Sequence, residues 1–263
     1  MVHEKMEREL FQLLTEERHK YILDVLNSKG TIHIQEIVEV LNISESTVRR
    51  DLSLLEKENK LKRVHGGAAL LQQKRTELSM NEKLLHNLPE KQRIGAYAAG
   101  LVKDGDCIFL DAGTTTYEMI KHLAAKDITV VTTGITHLEL LSDKGIATYI
   151  IGGYVRSITK AVIGQTALEM LSKFRFDKTF LGVNGIHIDY GYTTPDPEEA
   201  AIKSLALKLG QHVYVLADES KFNEVTFSEI APLEEATIIT NLNDPAIINE
   251  FNSTTKIEMV VDK

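Results

Sequence analysis

The spacing of apolar positions along this chain changes once, near residue 89. Before that point it is helical. Ile22, Leu23 and Leu26 mark one helix within residues 17–28, stopped by Lys29-Gly30, a combination that favours a helix C-terminus. Ile34, Ile37, Val38 and Leu41 mark a second, and Asn42-Ile43 makes a tight turn because asparagine tolerates left-handed backbone. Val48, Leu52 and Leu55, at i, i+4 and i+7, mark a third. Ser44 caps it, since its hydroxyl can accept a first-turn N–H. Residues 60–71 then read as a two-stranded wing that turns at Gly66-Gly67.

Beyond residue 89, short apolar runs alternate with helical stretches. The runs are Cys107–Leu110, Ile128–Thr132, Thr148–Ile151, Thr179–Val183, His212–Leu216 and Thr237–Thr240, and each fits a strand buried on both faces. Helices are predicted over roughly 89–102, 115–125, 135–142, 161–173 and 198–209. This alternation predicts an open, Rossmann-like α/β sheet covered on both sides. The chain thus divides into a winged helix-turn-helix over 14–70, a polar linker over 71–88 and an α/β domain over 89–263.

Composition narrows the class. With 263 residues, 43% hydrophobic and 26% charged, the chain suits an ordinary globular protein. No apolar run approaches the roughly 20 residues that span a bilayer, and the Glu-rich start lacks an apolar signal core. A cytoplasmic protein with no membrane association is expected. The single cysteine, Cys107, allows no internal disulfide, and its apolar surroundings predict a buried, inert thiol. The nine histidines include no HxxxH or HExxH pattern, so no metal is expected.

A net charge of −8 argues against nucleic-acid binding until it is resolved locally. Between Ser46 and Gly67, Arg49, Arg50, Lys57, Lys60, Lys62 and Arg63 outnumber Asp51, Glu56 and Glu58. Ser46, Arg49 and Arg50 share one helix face at i, i+3 and i+4. With Ser44 and Thr47 they form a candidate major-groove reader, because arginine forks can pair guanine O6 and N7. Lys62, Arg63, His65 and Gly66 would place the wing on phosphates. The alternative is a small helical bundle with a basic hairpin. So few cations per subunit predict a homo-oligomer, dimer or tetramer, on double-stranded DNA.

In open α/β sheets, ligands sit beyond the carboxyl ends of the strands. Asp111-Ala112-Gly113-Thr114-Thr115-Thr116 occupies such a place, with hydroxyls and a helix N-terminus for an anion. There is no GxxxxGK[ST], so nucleotide hydrolysis is not expected. Further loops carry Thr133, Gly153 with Arg156, Asn184-Gly185, Asp196, and Asp218 with Lys221, and His187 lies close by. Together they describe a phosphosugar pocket, with Arg156 and Lys221 for the anion and Asp196 and Asp218 for hydroxyls. A capped helix with purely structural threonines is the competing reading.

RHKYILDVLNSKG, ESTVRRDL and KLKRVHGGA resemble the N-terminal signature of DeoR-type bacterial repressors. DAGTTT, GGYVR, GVNGI, GYTTPD and DESKF resemble their effector domain. The resemblance runs to about residue 241 and leaves out only a charged extension over roughly residues 1–13. It implies an effector domain related in fold to ribose-5-phosphate isomerase and glucosamine-6-phosphate deaminase. It also implies that Gly113, Thr114, Thr115 and Lys221 hold the phosphate of a sugar phosphate, with Asp111 and Asp218 in support. GVNGIHIDYGYTTPDPEEA is most similar to the fructose operon subgroup, which implies fructose 1-phosphate; neighbouring members answer tagatose 6-phosphate and other sugar phosphates. The expected function is a DNA-binding repressor of a sugar-utilisation operon, relieved by that effector, with no cofactor and no catalysis. Two alternatives stay open. One is an isomerase- or deaminase-like enzyme using Asp111, Asp196, Glu198, Glu199 or Asp218 as acid and base; the other is an activator of the same family.

Overall fold

The computed structural model describes residues 15–26, 31–58, 60–64, 66–70 and 79–260. By internal contacts the chain divides into two compact units, Met1–Gln73 and Lys74–Lys263. The Lys29-Gly30 stop signal, His65 and residues 71–78 of the expected 71–88 linker lie outside the described residues.

The first unit holds α1 (residues 15–26), β1 (Thr31–His33), α2 (Ile34–Leu41), α3 (Glu45–Lys57), β2 (Leu61–Val64) and β3 (Gly67–Leu70). Ile22, Leu26, Ile34, Ile37, Val48, Leu52 and Leu55 meet in one core with Ile32, Leu61 and Ala68. Asn42 adopts the left-handed conformation, φ 50°, and ends α2. The wing is three-stranded, not two-stranded: β1 adds antiparallel to β3 in the order β1-β3-β2. Thr31-Ile32-His33 offers one aliphatic side chain in three residues, too little alternation to show as a strand. Gly67 admits it, because a Cβ there would lie 2.1 Å from the Ile32 carbonyl oxygen. A buried ion pair clamps α1 to α3: both Arg18 Nε and Nη2 donate to Asp51, at 2.7 and 3.0 Å.

The second unit opens with α4 (Met80–Leu85) and α5 (Leu88–Ala99). There follow β4 (Cys107–Leu110), α6 (Thr114–His122), β5 (Thr129–Thr132), α7 (His137–Asp143), β6 (Ala147–Ile150), β7 (Tyr154–Arg156), β8 (Ala161–Ile163) and α8 (Gln165–Leu171). The chain continues through β9 (Phe176–Gly182), β10 (Gly185–His187), β11 (Gly191–Thr194), α9 (Pro197–Leu209) and β12 (Gly210–Leu216). It closes with β13 (Ser228–Ala231), β14 (Thr237–Thr240), α10 (Pro245–Asn252) and β15 (Ile257–Met259). Seven parallel strands form the main sheet in the order β15-β14-β12-β9-β4-β5-β6. Side chains alternate across it. Ile108 and Leu110 pack with Ile94, Ala98, Met119 and Leu141 from α5, α6 and α7. Phe109 points the other way, with Leu171, Ala206 and Phe251 from α8, α9 and α10.

Four expectations need correction. β15 is a seventh strand, its short IEM run too polar to stand out. Residues 161–163 are strand β8, paired with β7, and the helix expected over 161–173 covers only Gln165–Leu171. β6 is a sheet edge with three of its four residues exposed, so it is not buried on both faces. Cys107 is exposed at the amino end of β4, since a strand's first residue lies where the covering helices have ended.

Candidate functional site

In the first unit the candidate reader residues share one exposed face of α3, as their spacing predicts. Ser46, Arg49 and Arg50 are exposed on α3, and Ser44 Oγ caps the helix by accepting the Thr47 N–H at 3.3 Å. The same hydroxyl lies 2.9 Å from both Ser46 Oγ and Thr47 Oγ1, so three hydroxyls cluster at the helix start. Arg49 leans on Glu45, with Nη2 at 2.5 Å from Oε1, an exposed i,i+4 pair that DNA phosphates or bases can displace cheaply. The Arg50 side chain makes no hydrogen bond or ion pair among the described residues. On the wing, Lys62 is exposed and Gly66 turns with φ +77°. Arg63 instead folds back on α3: Nη1 donates to Ser53 Oγ at 3.1 Å, and its N–H to Glu56 Oε1 at 2.9 Å. It braces the wing against the reader helix.

In the second unit the strand order reverses at β4. From there β5 and β6 extend one way, whereas β9, β12, β14 and β15 extend the other. A crevice opens at such a switch point beyond the carboxyl ends of the strands. It falls between the Asp111–Gly113 loop after β4 and the Gly182–Asn184 turn after β9, and α6 begins there.

The expected pocket residues separate into two groups. The first is committed to protein. Asp111 is buried and accepts from the Gly113 N–H at 2.9 Å, the Gly182 N–H at 2.8 Å, Thr116 Oγ1 at 3.0 Å and Lys203 Nζ. Burial pushes its carboxyl up; the Lys203 ammonium and the two N–H groups more than offset this and hold it below the ordinary range. Thr116 also bonds to the Asp111 and Gly113 carbonyls, at 2.9 and 2.8 Å. Asp196 caps α9 through the Glu198 and Glu199 N–H groups, at 2.8 and 3.0 Å, and is ion-paired with Arg156. Asp218 is buried and accepts from Ser220 and from Asn87 Nδ2, the latter at 2.8 Å. Burial raises its pKa, but Lys221, Ser220 and Asn87 bring it below the usual value. Asn184 Oδ1 accepts from Thr194 Oγ1 at 3.1 Å. Gly153 and Gly185 are packing positions, where a Cβ would lie 2.6 Å from the Ile163 oxygen and 2.3 Å from the Glu224 oxygen. His187 is buried in its own hairpin, where Nδ1 accepts the Asp189 N–H at 3.1 Å.

The second group is uncommitted. Thr114, Thr115 and Thr133 are all over nine-tenths buried, yet their hydroxyls bond to nothing among the described residues. Gly113, the N-cap of α6, offers no capping side chain, which leaves the N–H groups of Thr114, Thr115 and Thr116 without partners among those residues. Thr133 follows β5, next to β4. Lys221 follows β12, two strand spacings from β4, or about 10 Å. It is half-buried and interacts with Asp218.

Three supporting residues escaped the sequence reading. Lys203, the buried partner of Asp111, also donates to the Gly182 carbonyl at 2.9 Å, and joins both sides of the crevice. His137 is fully buried behind the threonine loop, with Nε2 at 3.3 Å from Thr116 Oγ1; burial lowers its pKa to about 4, so it is neutral. Lys91 on α5 is buried near Asp218 and Lys221, and desolvation lowers its ammonium to about 8. Each lies in a helix whose local pattern reads as ordinary surface. Their burial follows from packing between distant segments.

Among the described residues no group of histidine, cysteine, aspartate and glutamate is placed to hold a metal, and no helix is long and apolar enough to cross a membrane. The model of the DeoR-like helix-turn-helix domain matches residues 18–74, and that of the DeoR C terminal sensor domain matches residues 86–242. The chain belongs to the DeoR family. This DeoR-family regulator is 48% identical to the uncharacterized HTH-type transcriptional regulator FruR of Bacillus subtilis, over 94% of its own length and 99% of FruR. It is 37% identical to the HTH-type transcriptional repressor GlcR of B. subtilis, over 85% and 87% of the two chains. Identity to the lactose phosphotransferase system repressor of Staphylococcus aureus is 35%, over 93% and 95%. These relatives are regulators rather than enzymes, and so is this DeoR-family chain.

Proposed function

We propose that this regulator represses a sugar-utilisation operon and releases its operator when a phosphorylated sugar enters the crevice at β4. The observation that carries the reading is a set of uncommitted donors open to solvent: the hydroxyls of the largely buried Thr114, Thr115 and Thr133 and the first N–H groups of α6. Hydroxyls and helix-start N–H groups held in place by packing, with no partner in the protein, are ready to donate to an occupant that accepts hydrogen bonds. A helix N-terminus selects an anion, and Lys221 adds charge to the same rim. The committed group, including the Arg156–Asp196 pair, shapes the loops. No cofactor enters this reading. Fructose 1-phosphate is the first ligand to try, because the segment over 182–200 resembles the fructose operon subgroup.

Coupling to DNA follows from what holds residues 79–91. The Met80 N–H donates to the Ile158 carbonyl in the β7–β8 turn at 3.0 Å, Asn87 holds Asp218, and Lys91 Nζ donates to the Lys83 carbonyl. A ligand that shifts Asp218 or the Arg156 hairpin shifts α4, which begins directly after residues 71–78. Asn87→Ala should therefore keep ligand and DNA affinity while reducing the release that ligand causes.

A thermal-shift panel of fructose 1-phosphate, other sugar phosphates, inorganic phosphate and free fructose tests the pocket. A ligand at 100-fold excess over its Kd adds about 2.7 kcal/mol. The rise should require a phosphorylated sugar and vanish in Thr115→Ala and Lys221→Ala. A panel without any stabilising sugar phosphate, or full stabilisation by free fructose, contradicts the reading.

A further inference from the structure

The main sheet has two edges, and they are protected very differently. β15, at one edge, is three residues long and carries a Lys256–Glu258 ion pair of 2.5 Å, with Tyr97 Oη also donating to Glu258 at 3.2 Å. Charges and short length are the usual means by which an edge strand avoids pairing with another chain. β6, at the other edge, has neither charge nor proline. From Gly145 to Val155 the sequence is GIATYIIGGYV.

That uncharged segment is also exposed. Tyr149 is 54% exposed and Tyr154 69%, with Ile150, Val155 and Ile158 open beside them. The ring of Tyr149 rests 5.7 Å from that of Phe174, which extends the apolar surface. The outer N–H and C=O groups of β6 face no strand, since β5 is its only sheet neighbour among the described residues.

We propose that this edge is where a second copy of the chain docks, its β6 adding antiparallel to the first across a two-fold axis. Three arguments favour a second copy over a foreign segment. An edge strand is its own complement in antiparallel pairing, so the contact closes on itself and stops at two. The chain carries a net charge of −8, and an uncharged strip is where two like-charged copies approach with least repulsion. Helix-turn-helix readers bind paired half-sites as dimers, which requires a two-fold. The third argument rests on the DNA-reading role; the first two stand without it. The docked surface would continue into the hairpin that bears Arg156, so a ligand-driven shift of that hairpin would be felt at the contact.

The test is the solution mass of the full chain by light scattering. Wild type should run at a multiple of 29.5 kDa, and Tyr149→Lys/Val155→Lys should halve it with an unchanged far-UV spectrum, because both side chains are exposed. A cysteine scan over Ala147, Thr148, Tyr149 and Ile150, in a Cys107→Ser background, covers the case in which the lysine variant fails to fold. Mild oxidation should cross-link at least one position to its own copy, while Met259→Cys on the opposite edge stays uncross-linked. A wild type of 29.5 kDa, which would leave the edge to a foreign partner, overturns the proposal. So does a folded lysine variant of undiminished mass, or cross-linking at 259 but at none of 147–150.

Discussion

Asp111 shows how a residue can sit at a proposed binding site with its own carboxylate committed to protein. Its carboxylate is enclosed by two N–H groups, the Thr116 hydroxyl and the Lys203 ammonium. Removing one partner of a buried pair strands the other's charge. Lys203→Met should cost about 3–5 kcal/mol in denaturant unfolding. Asp111→Asn combined with it should recover part of that loss; fully additive costs would show that the two are not coupled. His137 supplies a pH signature. Its pKa falls from 6.5 to about 4 on folding, so between those values the unfolded chain binds more protons and stability falls as pH falls. The loss should reach about 3 kcal/mol by pH 4. Asp111, depressed in the fold, loses its contribution only below the ordinary aspartate range. His137→Gln should therefore flatten the upper part of the acid limb and leave the lower part. An unchanged limb would remove His137 from the account.

At the scale of elements, the wing depends on one close approach. Gly67→Ala places a methyl group 2.1 Å from the Ile32 oxygen, and should destabilise the first unit by about 1–3 kcal/mol, the range for overpacking. DNA affinity should fall with it although α3 is untouched. Calorimetry of the full chain, which resolves the two units, checks this. The contrast explains what the sequence could reveal. α2, α3 and the apolar strands other than β6 are visible because each buries residues that its own sequence marks as apolar. β1 and β15 are three residues long and owe their existence to a neighbour's backbone. β8 hides inside an apolar run continuous with α8. The threonine loop was legible from its position after a strand. The division of the site residues into those committed to protein partners and those left uncommitted was not, because it depends on Lys203, Asn87 and His137, contributed from far along the chain.

As a whole, under the proposed function, the molecule is a conditional DNA reader. Only a few cations, Arg49, Arg50 and Lys62 among them, are exposed on the described part of the candidate reader helix and wing, while Arg63 is drawn inward. Affinity should therefore depend only moderately on salt, each phosphate contact adding about 0.9 to the slope of log K against log salt. Arg50→Ala should erase discrimination between operator and unrelated DNA, at about 1–3 kcal/mol for each base the guanidinium no longer pairs. The central claim concerns what turns the reader off. Fluorescence anisotropy of labelled operator DNA, titrated with fructose 1-phosphate and then with other sugar phosphates, measures it directly. At least one sugar phosphate should release wild type from DNA, with Thr115→Ala and Lys221→Ala staying bound at every concentration. Release of both variants at the wild-type concentration, or retention of wild type by every sugar phosphate tried, would contradict the account.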